Sequence, residues 1–306
     1  DHHADGIQPG AQSCSAGLAL GDDDAGVDAD LQYDPADIPA LVEHRRVVEV
    51  HPDLLRLAVP VHTQHQAGRR RRIAARVGDN WRFFDPASTY VPFGMLRWQE
   101  EGQQALITDP KNPVWVDTPM SSHEKSLVKR IAKLKLRDDG TLEGEVRVEF
   151  TGHFAVDRKE DMDEESETQR EESLRDEIKS QMSAAEISNI KIENVMDHVK
   201  PLIFSYRVRF PGYATRTGKR LFLQPAFFQH GLKPLFATAT RKYPVYFHYP
   251  WSESDLVEFE LPKGYAFDNA ESPAGFASGA ISEYKPSLAA SADGSLLVYK
   301  RNFFFG

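Results

Sequence analysis

Arg130-Ile131-Ala132-Lys133-Leu134-Lys135-Leu136-Arg137-Asp138-Asp139-Gly140-Thr141-Leu142-Glu143-Gly144-Glu145-Val146-Arg147-Val148-Glu149-Phe150 is the stretch that decides the fold class. Ala132, Leu134 and Leu136 alternate with Lys133, Lys135 and Arg137. After Asp139-Gly140, the residues Leu142, Gly144, Val146, Val148 and Phe150 alternate with Glu143, Glu145, Arg147 and Glu149. Successive side chains of a strand point to opposite faces, so a period of two predicts strands with one buried and one solvated face. Asp-Gly between two such runs is a hairpin signal, because the turn needs positive φ. The expectation is a mainly β chain, α+β overall.

Downstream, Leu202, Phe204, Tyr206, Val208 and Phe210 alternate with Ser205, Arg207 and Arg209, and Pro211-Gly212 ends the run. Residues 220–224, 245–249, 256–261 and 296–305 read as further strands, the last after Asp293-Gly294. Short strands separated by turn signals predict an antiparallel β-sandwich. One segment departs from this pattern. Residues 157–186 are charge-dense and free of Pro and Gly, with Leu174, Ile178 and Met182 at i, i+4, i+8 and Met162 upstream. This predicts one long surface helix lying across a sheet. Its acidic run, Asp161 to Glu172, reads as a solvated face.

Upstream, residues 104–120 are punctuated by Pro110, Pro113 and Pro119 and read as a connector. Before it, Trp81, Phe83 and Asp85 alternate with Arg82 and Phe84, and Pro86 biases Asp85 toward extended backbone. Asp85 is therefore expected at a strand end, on the face of Trp81 and Phe83. Near Val77 the composition breaks. Residues 1–80 hold no Phe, Trp or Lys, yet six of the 11 His and eight Arg, including the run Arg69 to Arg72. Three readings of residues 1–76 stand: an irregular or disordered segment short of apolar area, a stretch outside the natural reading frame, and a divergent domain. The division expected is 1–76, then 77–110, then 111–306. The start at Asp1 and the strand-like end at Phe303-Phe304-Phe305-Gly306 are both expected to be cuts in a longer protein.

The net charge of −9 argues against general nucleic-acid binding. No stretch approaches the ~20 apolar residues of a membrane helix. The single cysteine, Cys14, allows no internal disulfide and no cysteine-rich zinc site. Asp1-His2-His3 reads as an exposed terminus, and Asp22-Asp23-Asp24 with Asp28 and Asp30 lacks the Gly and distal Glu of a calcium loop, so no metal site is expected. Gly212, Gly218 and Gly231 read as turns, and His230 and His248 as packed among aromatics.

Trp81-Arg82-Phe83-Phe84-Asp85-Pro86 followed by Tyr90-Val91-Pro92-Phe93-Gly94 resembles bacterial transglutaminase-like proteins, which flank a papain-like core with β-rich domains of unknown function. The likeness continues through Thr151-Gly152, Asp157-Arg158, Asn194, Pro201-Leu202, Tyr206, Pro211-Gly212, Gly218, Arg241, Pro244-Val245, Tyr249-Pro250, Leu261-Pro262, Gly264-Tyr265 and Arg301. It covers residues 77–306. On this resemblance, 77–110 is the end of the core and 111–306 a C-terminal β-sandwich truncated at its end.

The resemblance implies a Cys-His-Asp triad acting on peptide or protein amides. A thiolate attacks the carbonyl, a histidine moves the proton and an aspartate orients the imidazole. Asp85 matches the family's aspartate. Cys14 and His65 are the candidates for the other two roles, with His62 close by. Cys14 lies outside a Gly-Asp/Glu-Cys-Lys-type motif, and no aromatic precedes His65, so the chain itself is expected to be inactive. The chemistry needs no cofactor, the implied partner is a peptide or protein substrate, and the implied location is periplasmic or envelope. The alternative is a non-enzymatic β-sandwich that binds or scaffolds.

Overall fold

The alternating pattern around Trp81 forms the edge of a sheet that begins before the composition break. The computed structural model describes residues 58–63, 72–109, 111–236, 240–267 and 271–306. Strands β1 (Ala58–Thr63), β2 (Arg72–Val77), β3 (Asn80–Phe84), β4 (Gln104–Ile107) and β5 (Val114–Asp117) form an antiparallel sheet in the order β3-β2-β1-β4-β5. Ala74, Phe83, Leu96, Ala105 and Ile107 make its small core, with Trp81, Val114 and Val116 packed against them. Residues 58–63 and 72–77, for part of which an irregular segment is one of three readings, are strands, and their backbones supply mates for β4 and β3. The connector expected over 104–120 is corrected: it contains two strands of the same sheet, which runs to Asp117.

The main unit is an eight-stranded sheet. Its strands are β6 (Leu127–Leu136), β7 (Leu142–Phe150), β8 (Glu186–Glu193), β9 (Leu202–Phe210), β12 (Trp251–Glu260), β13 (Phe276–Ser278), β14 (Ser282–Ala290) and β15 (Leu296–Phe305). Their order is β13-β14-β15-β12-β6-β7-β9-β8. The expected hairpin is present: Leu136 pairs with Leu142 across Asp139-Gly140. Gly144 is obligatory in β7, because a Cβ there would lie 2.0 Å from the Lys133 carbonyl oxygen. Two short strands, β10 (Thr215–Thr217) and β11 (Arg220–Phe222), form a separate ribbon. The sequence 245–249, expected as a strand, is irregular between Pro244 and Pro250.

The expected antiparallel sandwich is corrected to one mixed sheet. β6 and β12 pair in parallel, which joins the two halves edge to edge. Its second layer is helical: Phe154, Ala155, Leu174 and Ile178 close the core over Val128, Val148, Phe204 and Val208. The single long helix is also corrected, to α1 (Gly152–Met162) and α2 (Glu167–Gln181). Ser166 ends the first segment's continuity by capping the second: it accepts from the Gln169 amide, and the Gln169 side chain reaches back to the Ser166 amide. The stripe of Leu174, Ile178 and Met182 is buried, as its spacing indicated, and Met162 is buried with it. No helix among the described residues is long and apolar enough to cross a membrane.

Candidate functional site

Asp85 follows directly on β3 and is 8% exposed. Its Oδ1 accepts from the Ala87 amide at 3.1 Å and its Oδ2 from the Ser88 hydroxyl. Arg97 Nε donates to that hydroxyl at 2.7 Å and its guanidinium pairs with Glu160 on α1. Both carboxylate oxygens thus close the turn that runs through Pro86, and Arg97 ties that turn to the main unit. The strand paired with β3 is β2, with Ile73 opposite Phe84, and it contains no histidine. His62 lies on β1, one strand further away. Cys14 and His65, like Asp1 to His3, Asp22 to Asp30 and Arg69 to Arg71, lie outside the described residues.

A second cluster escapes inspection of the sequence. β12 turns Trp251, Glu253, Asp255, Val257 and Phe259 inward. Parallel pairing sets Arg130 of β6 beside Asp255, and antiparallel pairing sets Arg301 of β15 on its other side. Arg130 Nε donates to Asp255 Oδ1 at 2.7 Å and its terminal nitrogen to Glu253 at 2.6 Å. Arg301 Nη1 donates to Glu253 at 2.9 Å and to Asp255 at 3.1 Å. Gln229 and Trp251 add donors at 2.8 and 3.2 Å. Burial works against the Arg130 charge, but Asp255 and Glu253 outweigh it and push its pKa up. The signal that could have found this cluster is parity: Glu253 and Asp255 share the phase of Trp251, Val257 and Phe259.

A third cluster joins the two sheets. Glu101, 1% exposed, accepts from the Ser121 amide at 3.0 Å and hydroxyl at 2.5 Å, and faces His153 Nε2 at 3.1 Å. Burial raises the Glu101 pKa, yet the His153 and Ser121 hydrogen bonds prevail and hold it below the usual glutamate value. The His153 ring packs on Tyr249 at 4.6 Å, whose hydroxyl donates to Asp157 at 3.3 Å. Burial raises the Asp157 pKa against the pull of His153 and Tyr249. Nearby, Trp98 stacks on His248 at 3.8 Å. His230 packs between Phe210 and Tyr213, where burial lowers its pKa. Among the described residues no group of three or more His, Cys, Asp or Glu is placed to hold a metal ion.

The chain matches no protein-family model, no curated protein and no solved structure.

Proposed function

We propose that residues 77–306 are the end of the core (77–110) and the C-terminal β-rich domain (111–306) of a transglutaminase-like protein, and that this chain scaffolds or docks rather than carrying out thiol chemistry itself. On this reading, the small sheet around Asp85 is the end of a papain-like core. The parent protein acts on peptide or protein amides in the bacterial envelope through a Cys-His-Asp triad. The observation that carries the reading is the use of the Asp85 carboxylate. Both its oxygens hold its own turn, and the neighbouring strand β2 offers no imidazole for it to orient. An aspartate that orients a catalytic histidine must accept from the ring nitrogen remote from the nucleophile.

The test is the pH dependence of Cys14 alkylation in the full chain, with and without Asp85→Ala. The expected result is an ordinary thiol titrating near ~8.5 in both proteins. A thiolate formed well below that value, and lost in Asp85→Ala, would establish a working triad and overturn the non-catalytic reading.

A further inference from the structure

Between α2 and the inward face of the main sheet lies a cavity of about 120 Å³. Its wall includes Val128, Val148, Leu174, Ile178, Phe204 and Phe228. Four charged side chains line it in two neutral pairs. Arg130 meets Glu253 at 2.6 Å on the inner side, and Arg158 meets Glu177 at 2.9 Å on the solvent side. The remaining polar side chains are Gln181 and Tyr206; Tyr206 is 7% exposed and its hydroxyl makes no hydrogen bond among the described residues. Burial, reinforced by the charge of Glu177, pushes the Tyr206 pKa up, so the hydroxyl is a proton donor at neutral pH.

These features select a ligand. A core cavity of ~150 Å³ lined by apolar side chains accommodates benzene; this one is smaller and partly polar, so a single six-membered ring is the upper limit of what it takes. Charges that already cancel within each pair leave none to compensate a charged ligand, and an uncompensated buried charge is costly. A hydroxyl that faces the cavity with no protein acceptor can donate to a ligand that supplies one. We propose that this cavity binds a small neutral ring molecule bearing one hydrogen-bond-accepting oxygen, of the phenol class, with that oxygen on Tyr206. Entry is past Arg158 and Glu177. Their side chains are 27% and 43% exposed, and an ion pair in that setting holds weakly enough to part. Arg158 also lies over the Phe150 ring at 4.5 Å.

The experiment titrates the full chain with phenol, benzene and benzoate, following side-chain methyl and aromatic NMR shifts. Phenol is expected to bind about tenfold more tightly than benzene, the size of one net hydrogen bond, and benzoate not to bind. In Tyr206→Phe, which removes one oxygen and keeps the core, the preference for phenol over benzene disappears. In Ile178→Trp, which fills the cavity, both are lost. Absence of phenol binding to the wild-type chain overturns the proposal. So does phenol binding that Tyr206→Phe leaves unchanged. If Ile178→Trp fails to fold, the Tyr206→Phe comparison decides alone.

Discussion

Asp255 is 2% exposed and accepts from Arg130, Arg301 and Gln229, so its charge holds three donors from three separate segments. Two arginines and two carboxylates balance here, which is the condition for burying any of them. Asp255→Ala breaks that balance and leaves two guanidinium groups sharing Glu253. The expected cost is about 3–5 kcal/mol of unfolding free energy, the range for removing one partner of a buried ion pair. Urea denaturation measures it. A loss of under ~1 kcal/mol would show that water reaches Arg130 and Arg301 and that the cluster is not sealed. Part of this site is legible from residue order: Arg130 shares the phase of Ala132, Leu134 and Leu136. Asp255 shares the phase of Trp251, Val257 and Phe259 in the same way, but residue order does not show that its strand pairs with that of Arg130.

At the scale of elements, the break between α1 and α2 rests on one side chain. Ser166 has extended backbone and accepts from the Gln169 amide, while Gln169 caps the Ser166 amide in return. The acidic run that spans the break stays solvated, with Asp161, Asp163, Glu164 and Glu167 exposed. Ser166→Ala removes one half of the reciprocal cap and should cost ~1 kcal/mol, read as a lower urea midpoint with the slope unchanged. No change in midpoint would mean that burial of Leu174 and Ile178 alone fixes the helix start. The long charged window 157–186 hid this break, because neither Pro nor Gly marks it. The S-x-x-Q spacing from Ser166 to Gln169 did mark it, as a capping-box signature.

At the scale of the whole molecule, the two sheets meet at Glu101, Ser121 and His153, with Arg97–Glu160 and Trp98–His248 beside them. The Glu101 pKa is depressed in the folded chain, so its ionised form stabilises folding above the unfolded glutamate value. That contribution is lost as pH falls through the depressed folded value. Acidification should therefore loosen the joint first. The protection of β4 amides against hydrogen exchange, taken relative to the intrinsic rate at each pH, is expected to fall before that of β7 as pH drops below the usual glutamate value. Glu101→Gln should show the faster β4 exchange already at neutral pH, at a cost of roughly 1.5–3 kcal/mol for hydrogen bonds to a charged group. Equal exchange of β4 and β7 at every pH would mean that the joint does not depend on Glu101.

Local periodicity was enough to read the strand from Arg130 to Leu136, those over Leu142–Phe150, Leu202–Phe210 and Leu296–Phe305, and the apolar stripe of α2, because those features repeat at the period of their own element. The sequence by itself also placed Asp85 at a strand end, because Pro86 constrains the residue before it. Tertiary structure alone decided which strands became neighbours. The parallel pairing of β6 with β12 brings Arg130 and Asp255, 125 residues apart, to 2.7 Å and merges the expected sandwich layers into one sheet. It also decided that Glu253, Asp255, Glu101 and His153 lie inside. A polar side chain is buried when its partner is, and that partner comes from a segment no local period can reach.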